Sequence, residues 1–157
     1  SIVNPLGLYK FDQIMNDLRP FLIQLPIQVK TYDIDFANIV HNAVYIRWLE
    51  DLRTELLAAE YAIEHMLADG LTPILTKTEI EYRQPVRFGD AVIGRMWVAD
   101  LGRTRWTVQS EFAVGERITT TSRQTGYFAE LSNGRPVRVP TQIRAVWEDI
   151  MHKMDKT

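Results

Sequence analysis

The chain of 157 residues contains no cysteine. That absence excludes disulfide bonds, thiolate metal ligands and a cysteine nucleophile. Long apolar runs are also missing, and none approaches the ~20 residues that a membrane-spanning helix needs. The first twenty residues do not join a basic start to an apolar stretch, as a secretory signal does. We therefore expect a soluble, cytoplasmic protein with no signal peptide and no membrane span.

Basic residues are scarce in one half of the chain and acidic residues in the other. Residues 1–82 hold 6 Lys and Arg against 12 Asp and Glu, whereas residues 83–144 hold 10 Arg, no Lys and 5 Asp and Glu. An arginine-only basic region suits phosphate or carboxylate groups. A solvated sheet face with cross-strand ion pairs explains it equally well. The net charge of −2 and the lack of a dense basic stripe argue against a nucleic-acid partner.

The length and the 46% hydrophobic content fit one globular domain, which we expect to cover residues 21–157. Residues 1–20 have a weak helical pattern that ends at Pro20, and we interpret them as an N-terminal appendage. Residues 43–60 have the clearest helical stripe of the sequence, with Asn42 as the predicted N-cap. A short helical turn is predicted over 63–68 and an amphipathic helix over 143–150.

The remaining segments alternate apolar and polar residues, as strands do. The predicted strands cover 22–32, 74–83, 91–99, 106–114 and 118–131, with a turn at 100–102 and with Pro26 marking an edge or a bulge in the first strand. One apolar helix followed by several antiparallel strands must be buried against a curved sheet. The fold class is therefore α+β, with the sheet wrapped around the helix.

Three motifs carry a family resemblance. The first is formed by Tyr32, Asp35, His41, Asn42, Ala43, Tyr45, Trp48 and Glu50, and the others lie at residues 80–90 and 134–140. Their order and spacing resemble the 4-hydroxybenzoyl-CoA thioesterase family of hot-dog proteins over residues 22–145. The resemblance implies a hot-dog fold, a dimer or tetramer whose sheets join edge to edge, and sites at the interface. It also implies hydrolysis of an acyl-CoA or acyl-carrier thioester, without a cofactor or a metal.

The resemblance points to Asp35 as the carboxylate that attacks the thioester or activates a water. The neighbouring Asp33 is interpreted as solvated. The backbone amide of Asn42, at the start of the helix, is the expected oxyanion donor. His41 either assists or only lines the helix start.

Glu50 is the second candidate carboxylate, because another branch of hot-dog thioesterases places a glutamate on the central helix. Thr54 lies four residues further on and shares its face. The alternative is that Glu50 only pairs with Arg47 or Arg53 at helical spacing.

Aromatic side chains and arginines complete the expected site. Phe36, Tyr45, Trp48 and Tyr82 are expected to line a pocket that accepts an aromatic or a fatty acyl group. The expected ligands of the CoA phosphates are Arg103, Arg105 and Arg123, with Arg135 and Arg138 nearby.

Two other functions remain open on the same fold. A hot-dog dehydratase or hydratase needs a catalytic histidine, and the His-Phe-Pro-Gly-type segment of those enzymes is absent from this sequence. A non-catalytic acyl-CoA binding module needs no acid at the oxyanion site, so Asp35 favours the thioesterase.

Overall fold

A computed structural model describes residues 19–156. The N-terminal appendage predicted from the sequence lies almost wholly outside this range. The elements follow in the order β1 (Ile23–Ile27), a 3₁₀ turn (Thr31–Asp33), α1 (Val44–Glu60), α2 (Ile63–Ala68), β2 (Leu71–Tyr82), β3 (Val92–Leu101), β4 (Arg105–Val114), β5 (Arg117–Glu130), β6 (Pro136–Val137) and α3 (Thr141–Asp155).

The strands form one antiparallel sheet in the order β1-β3-β4-β5-β2, and the short β6 pairs with the end of β5. The register shifts in three places: between Leu75 and Lys77 in β2, between Val98 and Asp100 in β3, and opposite the Phe112–Ala113 step of β4, where Thr119 of β5 is the extra residue. Such bulges increase the local twist and bend the strands, so the sheet curves. β1 and β2 are the two edges of this sheet.

Helix α1 lies on the concave face and carries the centre of the core. The side chains of its residues Leu49 and Leu52 are fully buried. Gly94 of β3 lets the helix approach the sheet, because an added Cβ would lie 3.3 Å from a Leu52 methyl and 3.2 Å from the Phe112 ring. The architecture is the predicted α+β hot-dog fold, with the sheet wrapped around one long helix.

Several predicted boundaries differ from the structure. β1 ends at Ile27 rather than near residue 32, because the following residues turn to place Asp33 inside the protein. Pro26 does lie in an edge strand, as predicted. The expected N-cap is wrong: α1 begins at Val44 after Ala43, and no side chain caps it. β3 continues through the predicted turn to Leu101, and α3 runs on to Asp155.

Candidate active site

The loop that carries Asp35 is a tight reversal just before α1. Residues Ile34 and Val40 pair across it, and Asn38 adopts a left-handed conformation with φ of 59°. The Asp35 Oδ1 accepts hydrogen bonds from the backbone N–H groups of Ala37, at 2.8 Å, and Ile39, at 3.1 Å. The Oδ2 atom accepts none from residues 19–156. The backbone therefore orients this exposed carboxylate and leaves one oxygen available.

The start of α1 presents unpaired backbone donors close to that loop in sequence. The N–H of His41 donates to the Asp33 carbonyl at 3.0 Å. The next two N–H groups, of Asn42 and Ala43, have no acceptor in the described part of the chain. Free N–H groups at the positive end of a helix favour an anion or a developing oxyanion. The Tyr82 hydroxyl donates to the Asn42 carbonyl at 3.0 Å and ties this turn to β2.

Asp33 is buried, and its interpretation as a solvated residue is wrong. Only 3% of the residue is exposed. Its carboxylate accepts from the Lys30 N–H at 2.8 Å and from Arg47 Nη2 at 2.9 Å. A buried carboxylate needs such partners. Asp33 therefore joins the loop before α1 to the first turns of the helix.

Glu50 lies two turns into α1 and forms an ion pair with Arg53, which was one of the two alternatives that the sequence left open. The Arg53 guanidinium also donates to Gln124 Oε1 at 2.7 Å, and Gln124 Nε2 donates to Thr78 Oγ1 at 3.0 Å. Burial lowers the pKa of Arg53, because desolvation disfavours its charged form, and the Glu50 carboxylate partly offsets this effect. Thr54 donates to the Glu50 carbonyl at 2.9 Å.

An apolar cavity of about 290 Å³ lies between the second half of α1 and the sheet. Glu50, Arg53 and Thr54 stand at one end and Glu60 at the other. Most of the wall is apolar and includes Leu56, Leu57, Ile63, Pro73, Leu75, Met96, Val98, Leu101, Trp106, Val108, Phe128 and Ile143. Neither Asp35 nor the helix start lines this cavity.

The aromatic residues expected to contact the acyl group occupy two environments. Tyr45 and Trp48 are buried in the core, with ring centroids 4.9 Å apart. Burial raises the pKa of the Tyr45 phenol. Tyr82 is exposed beside Tyr45, and Phe36 projects fully into solvent. None of the four lines the cavity, and their contact with a substrate stays a prediction.

The arginines proposed for the CoA phosphates are all exposed but do not form one cluster. Arg103 lies in the turn after β3 and Arg105 begins β4, so these two are close in sequence at one end of the sheet. Arg105 pairs with Tyr127 of β5. Tyr127 and Arg123 are four residues apart along that strand, a distance of about 13 Å. Arg123 instead lies between Glu79 and Gln109 on the neighbouring strands. Their role in phosphate binding stays a prediction.

Sequence reasoning missed the connection from Arg53 through Gln124 to Thr78. A signal was present: Gln124 sits two residues from Ser122 and Gly126 on the same face of β5, and all three are buried. A glutamine on the inner face of a strand requires hydrogen-bond partners inside the protein. Among residues 19–156 no helix could cross a membrane, and no three potential ligands come together at a metal-binding distance.

Comparison with known proteins gives the family. The model of the thioesterase-like superfamily matches residues 29–147. A protein of Aquifex aeolicus, provisionally named an esterase, is 27% identical over 83% of this chain and 99% of its own length. The acyl-CoA thioester hydrolase YbgC of Escherichia coli is 29% identical over 70 residues, which are 44% of this chain and 52% of that protein.

The fold also matches solved structures. A Staphylococcus aureus protein in complex with CoA has a TM-score of 0.77 at 14% identity, over 83% of this chain and 84% of that chain. Because the family model covers most of the domain, the chain belongs to the thioesterase-like superfamily. The narrower resemblance to 4-hydroxybenzoyl-CoA thioesterases stays a prediction.

Proposed function

We propose that this chain hydrolyses an acyl-CoA thioester to a free acid and CoA, at a site formed by two copies of the chain. Asp35 and the start of α1 in one protomer supply the chemistry. The apolar cavity of its partner holds the acyl group. A thioester of an acyl carrier protein has the same C–S bond, and the same residues would hydrolyse it.

The observation that carries this proposal is the separation of two complementary features. The helix start has an oriented carboxylate and, among residues 19–156, two unpaired N–H groups, but it does not line the apolar cavity. The part of α1 that lines the cavity begins at Glu50, about 9 Å along the helix axis from Val44, and ends at Glu60. A single protomer therefore keeps its reactive groups and its acyl pocket apart, and a second copy can bring them together.

The sheet offers a place for that second copy. β2 is a strand of 12 residues at the sheet edge, and no strand among residues 19–156 pairs with its outer side. Unpaired edges of this length readily accept another strand. β2 also supplies Pro73 and Leu75 to the cavity wall. Pairing at this edge would place the partner beside the cavity, in agreement with the dimer implied by the resemblance.

The chemistry follows from these groups. The Asp35 Oδ2 takes a proton from water while the water oxygen bonds to the thioester carbonyl carbon. The N–H of Asn42 donates to the oxyanion that forms on the carbonyl oxygen. The C–S bond then breaks, the electrons leave with the thiolate, and the proton held by Asp35 passes to that sulfur. Direct attack by Asp35 through an anhydride gives the same products after hydrolysis.

Two relatives support a CoA thioester as the substrate. One is named an acyl-CoA thioester hydrolase, and another was solved in complex with CoA. The purified protein should release thiol from at least one acyl-CoA in a panel, as followed with a thiol-reactive dye, with one free acid formed per thiol. Binding of acyl-CoA without thiol release would instead favour the binding module.

A further inference from the structure

We infer that the acyl group is an unbranched aliphatic chain of roughly 10 to 12 carbons rather than an aromatic ring, from the length, volume and lining of the cavity. This inference rests on the proposed function for the thioester, but it concerns the cavity alone. It selects between the two acyl classes that the sequence left open.

The length of the cavity comes from the helix that forms one wall. Its helical lining runs from Glu50 to Glu60, and ten residues of α-helix advance about 15 Å. An extended backbone advances up to ~3.6 Å over three bonds, or about 1.2 Å per bond, and an extended hydrocarbon chain has nearly the same geometry. The cavity therefore accepts a chain of about 12 bonds.

The volume of the cavity agrees with this length. A cavity of about 150 Å³ accepts the six carbons of benzene, so a cavity of about 290 Å³ accepts about twice as many carbon atoms. A single aromatic ring would therefore leave about half of the apolar cavity unfilled, whereas a chain of about 12 carbons would fill it.

The distribution of polar groups gives the chain its direction. Glu50, Arg53 and Thr54 are three of the four polar residues that α1 contributes to the lining, and they stand together at one end, so the polar thioester would lie at that end. Between the two ends the wall is apolar, so a hydroxyl or a charge on the acyl group would be buried without a partner. Glu60 at the far end is exposed, and a longer chain would emerge beside it into water.

The test measures kcat/KM for straight-chain acyl-CoAs from 4 to 16 carbons and for benzoyl-CoA and 4-hydroxybenzoyl-CoA. We expect an increase of about fourfold per methylene, equivalent to about 0.8 kcal/mol, up to about 12 carbons, and no further gain beyond. Benzoyl-CoA and 4-hydroxybenzoyl-CoA should react at least tenfold more slowly than the best aliphatic substrate.

A variant tests whether the cavity sets the dependence of kcat/KM on chain length. Leu57 lines the middle of the wall, so Leu57→Trp should shorten the cavity and lower the dodecanoyl-to-hexanoyl ratio of kcat/KM at least tenfold. Ala58→Trp places the same side chain on the exposed side of the helix and should leave the ratio unchanged. An unchanged ratio in a folded Leu57→Trp protein would place the acyl chain elsewhere.

The outcomes separate the two claims. Turnover that is best with an aromatic or a four-carbon substrate would overturn the chain-length inference and leave hydrolysis standing. If no thioester is hydrolysed, the proposed function fails, and binding of dodecanoate decides the inference. Dodecanoate that binds wild type but not Leu57→Trp supports the aliphatic cavity, and the absence of binding overturns it.

Discussion

Asp35→Asn removes the proposed catalytic carboxylate with little disturbance of the loop. Asparagine keeps an Oδ1 atom, so it can still accept from the N–H groups of Ala37 and Ile39. The amide nitrogen replaces the Oδ2 atom, which has no partner among the residues described. The fold and the melting temperature should therefore change little, whereas the side chain can neither attack a thioester nor take a proton from water.

The expected effect is a fall in kcat of at least ~10²–10³, because general-base help is worth about 10²–10⁴. This loss corresponds to about 3–4 kcal/mol of transition-state stabilisation. KM should change little, since the acyl cavity does not include Asp35. The assay is thiol release under saturating acyl-CoA, with circular dichroism as the check on folding.

Glu50→Gln is the matched control. Its carboxylate is exposed and paired with Arg53, and glutamine can still accept a hydrogen bond from that guanidinium. If Asp35 is the base, Glu50→Gln should cost much less activity than Asp35→Asn. Near-wild-type turnover in a folded Asp35→Asn protein would refute the assignment, and a reversed ranking would transfer the role to Glu50.

Three further changes test other parts of the structure. Arg103→Ala and Arg105→Ala should each raise KM with little effect on kcat, and the difference in KM from the wild type should shrink at high salt. An unchanged KM in both variants would place the CoA phosphates elsewhere. Gly126→Ala should lower the free energy of unfolding by about 1–3 kcal/mol or more in denaturant unfolding, because its Cβ would overlap the Ile74 carbonyl and the Trp106 ring. Wild-type stability would contradict this packing. Asp33→Ala should lower stability by about 1–3 kcal/mol in thermal unfolding, and no shift in melting temperature would contradict its anchoring role.

The sequence predicted the fold well because its strongest patterns are local. The stripe of leucines that identified α1 is the buried stripe of the structure, with Leu49 and Leu52 at its centre. The alternating segments became the five long or edge strands of the sheet. The ends of elements were less predictable, because tertiary contacts set them. β1 stops early since Asp33 turns inward, and that turn depends on Arg47, fourteen residues later.

The site was only partly predictable, for a similar reason. The motif around Asp35 and Asn42 lies within eight residues, so its loop and its helix start could be anticipated from one segment. The cavity is assembled from three helices and four strands, and no local pattern identifies its wall. Tyr45 and Trp48 illustrate the difficulty, because the aromatic type suits a pocket and a core equally well and the structure buries both.

The most direct test of the two-protomer site is complementation between two inactive variants. Asp35→Asn removes the carboxylate, and Thr54→Trp fills the cavity entrance from an exposed helix position; Thr54→Val is the control that removes the hydroxyl without filling the space. Light scattering should first show each protein at about twice 18.2 kDa or more.

The two inactive variants are then coexpressed with different tags, and the mixed dimer is purified through both. If Asp35 of one protomer serves the cavity of the other, each mixed dimer has one intact site and one doubly altered site. It should show about half of the wild-type activity per dimer. A mixed dimer no more active than either variant alone would contradict the shared site and would place Asp35 and the acyl cavity in the same protomer.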